Sequence, residues 1–182
     1  MPDVIADESL VERAKAFATR FHESVGHVRK YTGEAYTEHL QAVADMVESV
    51  SGSPEMIAAA WLHDVVEDTP ATLDQVQKEF GVLVAELVRE LTDVSRPEDG
   101  NREARKAIDR AHLAEASVKA KTIKVADLID NSRSVLEHDQ RFAKTYMREK
   151  QLLLEVLREA DEFLHREATA IVDSYFRNHL VE

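Results

Sequence analysis

The stretch AAAWLHDVVEDTPAT, residues 58–72, crowds ionisable side chains against an apolar run: His63, Asp64, Glu67 and Asp68 follow Met56, Ile57, three alanines, Trp61 and Leu62. An imidazole and carboxylates at the mouth of a buried helix end make a place for a hard or borderline divalent cation such as Mn2+, Fe2+ or Zn2+. The chain contains no cysteine, which removes thiolate zinc sites, disulfides and cysteine nucleophiles. Any metal must therefore be held by histidine and carboxylates. His63 and Glu67 lie four apart, as do Asp64 and Asp68, so a continuous helix would stack each pair on one face.

Two ligands do not hold a metal. His39, beside the apolar Leu40 and Val43, offers a third, and Asp127, behind Ile123, Val125 and Ala126, a fourth. The pattern is one histidine, then His-Asp, then a distant aspartate. Each member alone has an ordinary reading. His39 would be a boundary residue, Glu67-Asp68 a solvated helix end, and Asp127 and Asp130 surface salt-bridge partners. Order, spacing and apolar context together favour the metal.

The elements that must position these groups are helices. Leu10, Ala14, Phe17 and Phe21 set a first amphipathic helix. HESVGHVRKYTGEAY reads as a loop, with Gly26 and Gly33 as breakers, before a second helix with Leu40, Val43, Ala44, Val47 and Val50 on one face. Ser53-Pro54 reads as a cap and first turn, opening a third helix expected to run to Asp68, where Pro70 stops it. Thr72 and Gln75 form a capping-box pair and Gly81 a helix stop; VLVAELVREL follows. RPEDGN is a polar turn. Further helices are expected from Asn101 to about Ser117, through KAKTIKVADLIDNSRSV, and over the pair Arg141–Ala160 and Asp161–His179. The expectation is an all-α fold of roughly eight helices in one domain, residues 1–182.

Composition agrees. Of 182 residues only five are glycine and four proline, while 44% are apolar and 32% charged. A net charge of −12 argues against nucleic-acid or anionic-membrane partners, though not against a small phosphorylated ligand in a locally basic or metal-bearing cleft. MPDVIADESL has no basic-then-apolar leader and no run approaches membrane-spanning length, so a cytoplasmic protein is expected. Oligomeric state is not legible.

HDVVEDT, with TLDQVQKEFGVLVAELVRELTDVS and KTIKVADLIDNSRS after it, resembles the HD-domain hydrolases of the RelA/SpoT homologues, in particular small single-domain alarmone hydrolases of SpoT type. The likeness runs from about Phe17 to Met147. It implies a helical fold with Mn2+, or another divalent metal, held by His39, His63, Asp64 and Asp127. The implied reaction removes the 3′-pyrophosphate of ppGpp or pppGpp to leave GDP or GTP. Glu67 and Asp68 would act on the attacking water. Arg29 would stack on the purine, with Lys30 near the substrate and Asn131 and Ser134 near the base. Lys124, Arg141, Lys144 and Tyr146 are candidates for the phosphates. Because the 182 residues end after the hydrolase, hydrolysis without synthesis is expected.

Several positions depart from the family pattern. His39-Leu40 replaces the usual His-Pro, HESVGHV replaces a small-residue and Gln segment, and Leu128 and Asp130 stand where a basic residue and a His or Tyr are common. These leave the metal set intact and keep two alternatives open: a phosphohydrolase of another nucleotide such as NADPH, and a non-catalytic nucleotide-binding module.

Overall fold

The apolar run ahead of His63 forms a helix, Pro54–Leu62, in which Ala58, Ala59, Ala60, Trp61 and Leu62 are all buried. A helix apolar on every side has to be enclosed by others. This one packs against Leu10–Ser24, Thr37–Ser49, Val82–Leu91 and Val118–His138. The structure, a computed structural model, describes residues 9–179. Among these the elements are α1 (Leu10–Ser24), α2 (Thr37–Ser49), α3 (Pro54–Leu62), α4 (Val65–Asp68), α5 (Leu73–Phe80), α6 (Val82–Leu91), α7 (Arg102–Ala114), α8 (Val118–His138), α9 (Gln140–Val156) and α10 (Glu162–His179). A 3₁₀ turn covers Pro97–Asp99, and an isolated antiparallel bridge joins Val28 to Ala35 within the glycine-containing loop. The all-α expectation holds. The first eight residues of MPDVIADESL, read above for a leader, lie outside the described residues.

Helix starts follow local chemistry. Side-chain oxygens at Ser9, Ser53, Thr72, Asn101 and Ser117 accept from the otherwise unpaired amides of the first turns of α1, α3, α5, α7 and α8. The Thr72–Gln75 capping box is complete, and Gly81, at φ 87°, ends α5 and leads into α6.

One expected helix is divided. The run from Pro54 does not continue to Asp68: it stops at Leu62, Asp64 takes φ −101° and ψ −2°, and Val65–Asp68 forms a single separate turn. The expected continuous helix to Asp68 is thereby corrected, although Asp64 and Asp68 still share one turn, the Asp68 N–H donating to Asp64 O at 3.0 Å. In a regular helix the adjacent His63 and Asp64 would diverge by about 100°. Here they meet: His63 Nε2 lies 3.0 Å from Asp64 Oδ2.

The turn from α2 to α3 is tight. Gly52 N–H donates to Val47 O at 2.9 Å. A Cβ on Gly52 would stand 2.5 Å from Val47 Cγ1 and 2.7 Å from Val47 O, so glycine is what lets α2 fold back on α3. Helix α8 packs against α2, α3, α6, α9 and α10 and buries Ile123, Val125, Ala126, Leu128 and Ile129. Late in the chain, Leu153, Leu157 and Leu164 join the core while Leu152 stays exposed. Among the described residues no helix is long and apolar enough to cross a membrane.

Candidate metal centre and its cleft

Packing of α2, α3 and α8 brings four of the sequence candidates to one point. His39 sits in the first turn of α2, His63 and Asp64 in the break after α3, and Asp127 midway along α8. His63 Nε2 lies 3.0 Å from Asp64 Oδ2 and 3.7 Å from Asp127 Oδ1; His39 Nε2 lies 3.8 Å from Asp64 Oδ2 and 3.2 Å from Asp127 Oδ1. One atom each from His39, His63 and Asp64 falls within a mutual 4.8 Å. Both Nε2 atoms are buried and without a hydrogen-bond partner.

The other ring nitrogens explain which way the imidazoles point. His63 Nδ1 lies 2.7 Å from Ala60 O and His39 Nδ1 lies 2.6 Å from Asp130 Oδ2, both acceptors, so each Nδ1 carries the proton and donates it. The Nε2 lone pairs are then directed at the shared point, as in metal-ligating histidines held by an outer partner. Tyr36 OH donates to Asp64 Oδ2 at 2.5 Å, Asn131 Nδ2 donates to Asp127 Oδ1 at 2.6 Å, and Lys124 Nζ pairs with Asp127 Oδ2 at 2.9 Å. His27 stacks on Tyr36 with ring centroids 3.7 Å apart. Two nitrogen and two oxygen donors, none of them thiolate, fit a divalent cation such as Mn2+, Fe2+ or Zn2+.

The electrostatics agree with that fit. Burial works against charge on His63 and His39, yet Asp64 and Asp127 beside the first, and Asp127 and Asp130 beside the second, leave both above the usual imidazole range. Burial likewise opposes the charges of Asp64 and Asp127, but His63 for one, and Lys124 with both imidazoles for the other, hold them below the usual carboxylate range. A point that favours positive charge this strongly is one where metal and proton compete.

The centre opens into a cleft of about 400 Å³, a size suited to a small-molecule ligand. Glu67 and Asp68 stand on its wall. Both remain solvent-accessible, but the surrounding walls and the Asp93 carboxylate push Glu67 up to about 7. Desolvation and Asp64 raise Asp68 as well. Arg29, Lys30, Lys124, Asn131, Ser134 and Tyr146 also line the cleft. Arg29 is held by its edge: Nη2 donates to Asp130 Oδ2 and Nη1 to Asn131 Oδ1, each at 3.1 Å. Lys30 is at the rim, with its side chain 73% exposed.

Arg141 and Lys144 do not line the cleft; both are exposed on the outside of α9. The face of α9 turned inward carries Phe142, Tyr146 and Lys150, a four-residue rhythm from which Arg141 and Lys144 are rotated away. Lys150, Lys106 and Arg102 line the cleft and were missed in the sequence. Counting four on from Tyr146 would have found Lys150. Burial and Lys124 bring its pKa down to about 8, and its ammonium lies 4.6 Å from the centre of the Tyr146 ring. The buried Tyr146 hydroxyl has no hydrogen-bond partner among the described residues.

A helical fold that gathers one histidine, a His-Asp pair and a distant aspartate about a single point is that of an HD domain. The chain belongs to the HD-domain family, whose model matches residues 14–160. It is 34% identical over 136 residues to a probable guanosine-3′,5′-bis(diphosphate) 3′-pyrophosphohydrolase of Synechocystis, covering 73% of this chain and 18% of that protein. It is 40% identical over 102 residues to a guanosine-3′,5′-bis(diphosphate) 3′-pyrophosphohydrolase of Drosophila melanogaster, covering 55% of each. The chain thus spans about a fifth to a half of the curated relatives it matches. Among solved structures it is similar to a metazoan SpoT orthologue described as hydrolysing ppGpp, with TM-score 0.81, 28% identity and coverage of 94% of this chain and 96% of that one.

Proposed function

We propose that this chain is a Mn2+-dependent hydrolase that removes the 3′-pyrophosphate of guanosine tetra- or pentaphosphate, releasing pyrophosphate and leaving GDP or GTP. The observation that carries the reading is the juxtaposition of the His39, His63 and Asp64 cluster, with Asp127 beside both imidazoles, and a cleft lined by Glu67, Asp68 and a set of lysines. It is supported by the activity named for the Synechocystis and Drosophila relatives and by the metazoan structure, which aligns over nearly the whole of both chains.

In this reading His39, His63, Asp64 and Asp127 hold the cation. When bound, such an ion supplies the Lewis acidity that makes water a nucleophile near neutral pH and draws charge from a phosphoryl oxygen. Glu67 accepts the proton of the attacking water, a task suited to a carboxylate raised toward neutrality. Asp68, with His27 Nδ1 3.9 Å from its Oδ2, helps orient that water. Lys124, Lys150, Lys106 and the Tyr146 hydroxyl offer positive or donor groups to the phosphates. Arg29, its edge held by Asp130 and Asn131, keeps its flat face for the purine, with Asn131 and Ser134 at the base edge. Mn2+ is the ion we assign, and the cytoplasm, where nucleotides turn over, the compartment.

A nucleotide panel that includes ppGpp, pppGpp and NADPH, run with Mn2+ and read separately for pyrophosphate and orthophosphate, tests the reading. Pyrophosphate from ppGpp, lost in Asp64→Ala, is expected. Orthophosphate alone would move the activity to another nucleotide class. Tight ppGpp binding without turnover would make the chain a binding module.

A further inference from the structure

Asp130 and Asn131 link Arg29 to two different members of the metal set. Asp130 Oδ2 accepts from His39 Nδ1 at 2.6 Å and from Arg29 Nη2 at 3.1 Å, so one oxygen serves both. Asn131 Oδ1 accepts from Arg29 Nη1 at 3.1 Å while its Nδ2 donates to Asp127 Oδ1 at 2.6 Å. Asp127 Oδ1 and His39 Nε2, 3.2 Å apart with no hydrogen bond between them, face the same point, so that a shared cation would close the five side chains into a ring. The His39 side chain is fully buried and its Nε2 has no partner, so its direction is set by what Nδ1 holds.

We infer that Asp130 is a positioning residue that holds the metal-ligating face of His39 and the guanidinium of Arg29 in one arrangement, coupling the cation site to the nucleotide-base site. The inference rests on the proposed metal reading and goes past it, because the sequence marks Asp130 only as a surface salt-bridge partner at a position where a His or Tyr is common. A carboxylate on the far nitrogen fixes the tautomer of a ligand histidine and raises its basicity. The same oxygen restrains Arg29. Through that shared oxygen a change at Arg29 alters the acceptor that orients His39, although Arg29 touches none of the cation's ligands.

The test is Mn2+ affinity, measured by titration calorimetry on metal-stripped full-length protein with no nucleotide present. Asp130→Asn keeps the shape and an acceptor oxygen but removes the charge. It is expected to weaken Mn2+ binding by about 10-fold or more. Arg29→Gln is expected to weaken it by about threefold or more, within the range of modulation seen for residues outside a site. A role for Arg29 confined to the base would leave Mn2+ affinity unmoved. Wild-type affinity, within twofold, in Asp130→Asn overturns the inference. Should Asp130→Asn fail to fold by circular dichroism, Arg29→Gln decides in its place, and unchanged affinity there overturns the coupling. A wild-type protein that binds no Mn2+ sinks the metal reading itself, whereas wild-type binding with insensitive variants sinks only the ring.

Discussion

The backbone N–H of Asp93 donates to Glu67 Oε2 at 3.1 Å, tying the segment after α6 to the single turn that carries both wall acids. Lys106 Nζ in turn pairs with Asp93 Oδ2 at 3.0 Å, so the base candidate is fixed from outside the metal set. One Glu67 oxygen is engaged by the backbone and the other is left for water.

Turnover should therefore depend on the charge of Glu67. A base works only when deprotonated, so kcat should rise with pH through about 7, where desolvation and Asp93 place this carboxyl, and then level. Glu67→Gln should cut kcat by about 10²–10⁴-fold and abolish that rising limb. An unaltered limb in the variant would assign it to another group.

Metal should stabilise the fold. Mn2+ at about 100 times its Kd adds about 2.7 kcal/mol, which for a chain of this size raises Tm by about 5–10 °C. Chelation should reverse the shift, and Asp64→Asn, which removes one anionic donor, should show none. Acid should weaken binding, because protons compete for the imidazoles whose pKa the neighbouring aspartates raise. Differential scanning fluorimetry with and without Mn2+ checks all three.

Lys150 should matter most for substrate binding. Losing a charged hydrogen bond to phosphate costs about 1.5–3 kcal/mol, so Lys150→Met should raise KM by about 10-fold or more with a smaller change in kcat. Since burial and Lys124 put Lys150 near 8, its charge is lost as pH rises past that value, and wild-type KM should climb there. The methionine variant should not show the climb.

Gly52→Ala should destabilise the protein without touching the cleft. The new methyl would meet the Val47 carbonyl and side chain, forcing the α2–α3 turn open at a cost of about 1–3 kcal/mol. A urea midpoint equal to that of wild type would show that the turn yields more easily than its geometry implies.

The helices were legible because their signals are local. Ser53, Thr72 and Gly81 mark starts and stops through bonds spanning three or four residues. The break at His63 was not legible: LHDVV holds no glycine or proline to interrupt a helix, and the run from Pro54 was expected to continue to Asp68. Arg141 and Lys144 look as suitable for phosphate as Lys150. Only the inward turn of Phe142 and Tyr146 separates them.

The sequence by itself determined the all-helical class, the absence of thiolate chemistry and the residue types of the centre, since composition, caps and apolar rhythm act over a few residues. Tertiary packing decided which lysines face the cleft, that His39 and Asp127 approach His63, and that Asp130 joins His39 to Arg29. Those relations depend on how α2, α3, α8 and α9 lie against one another, a matter of long-range burial that no short stretch of chain encodes.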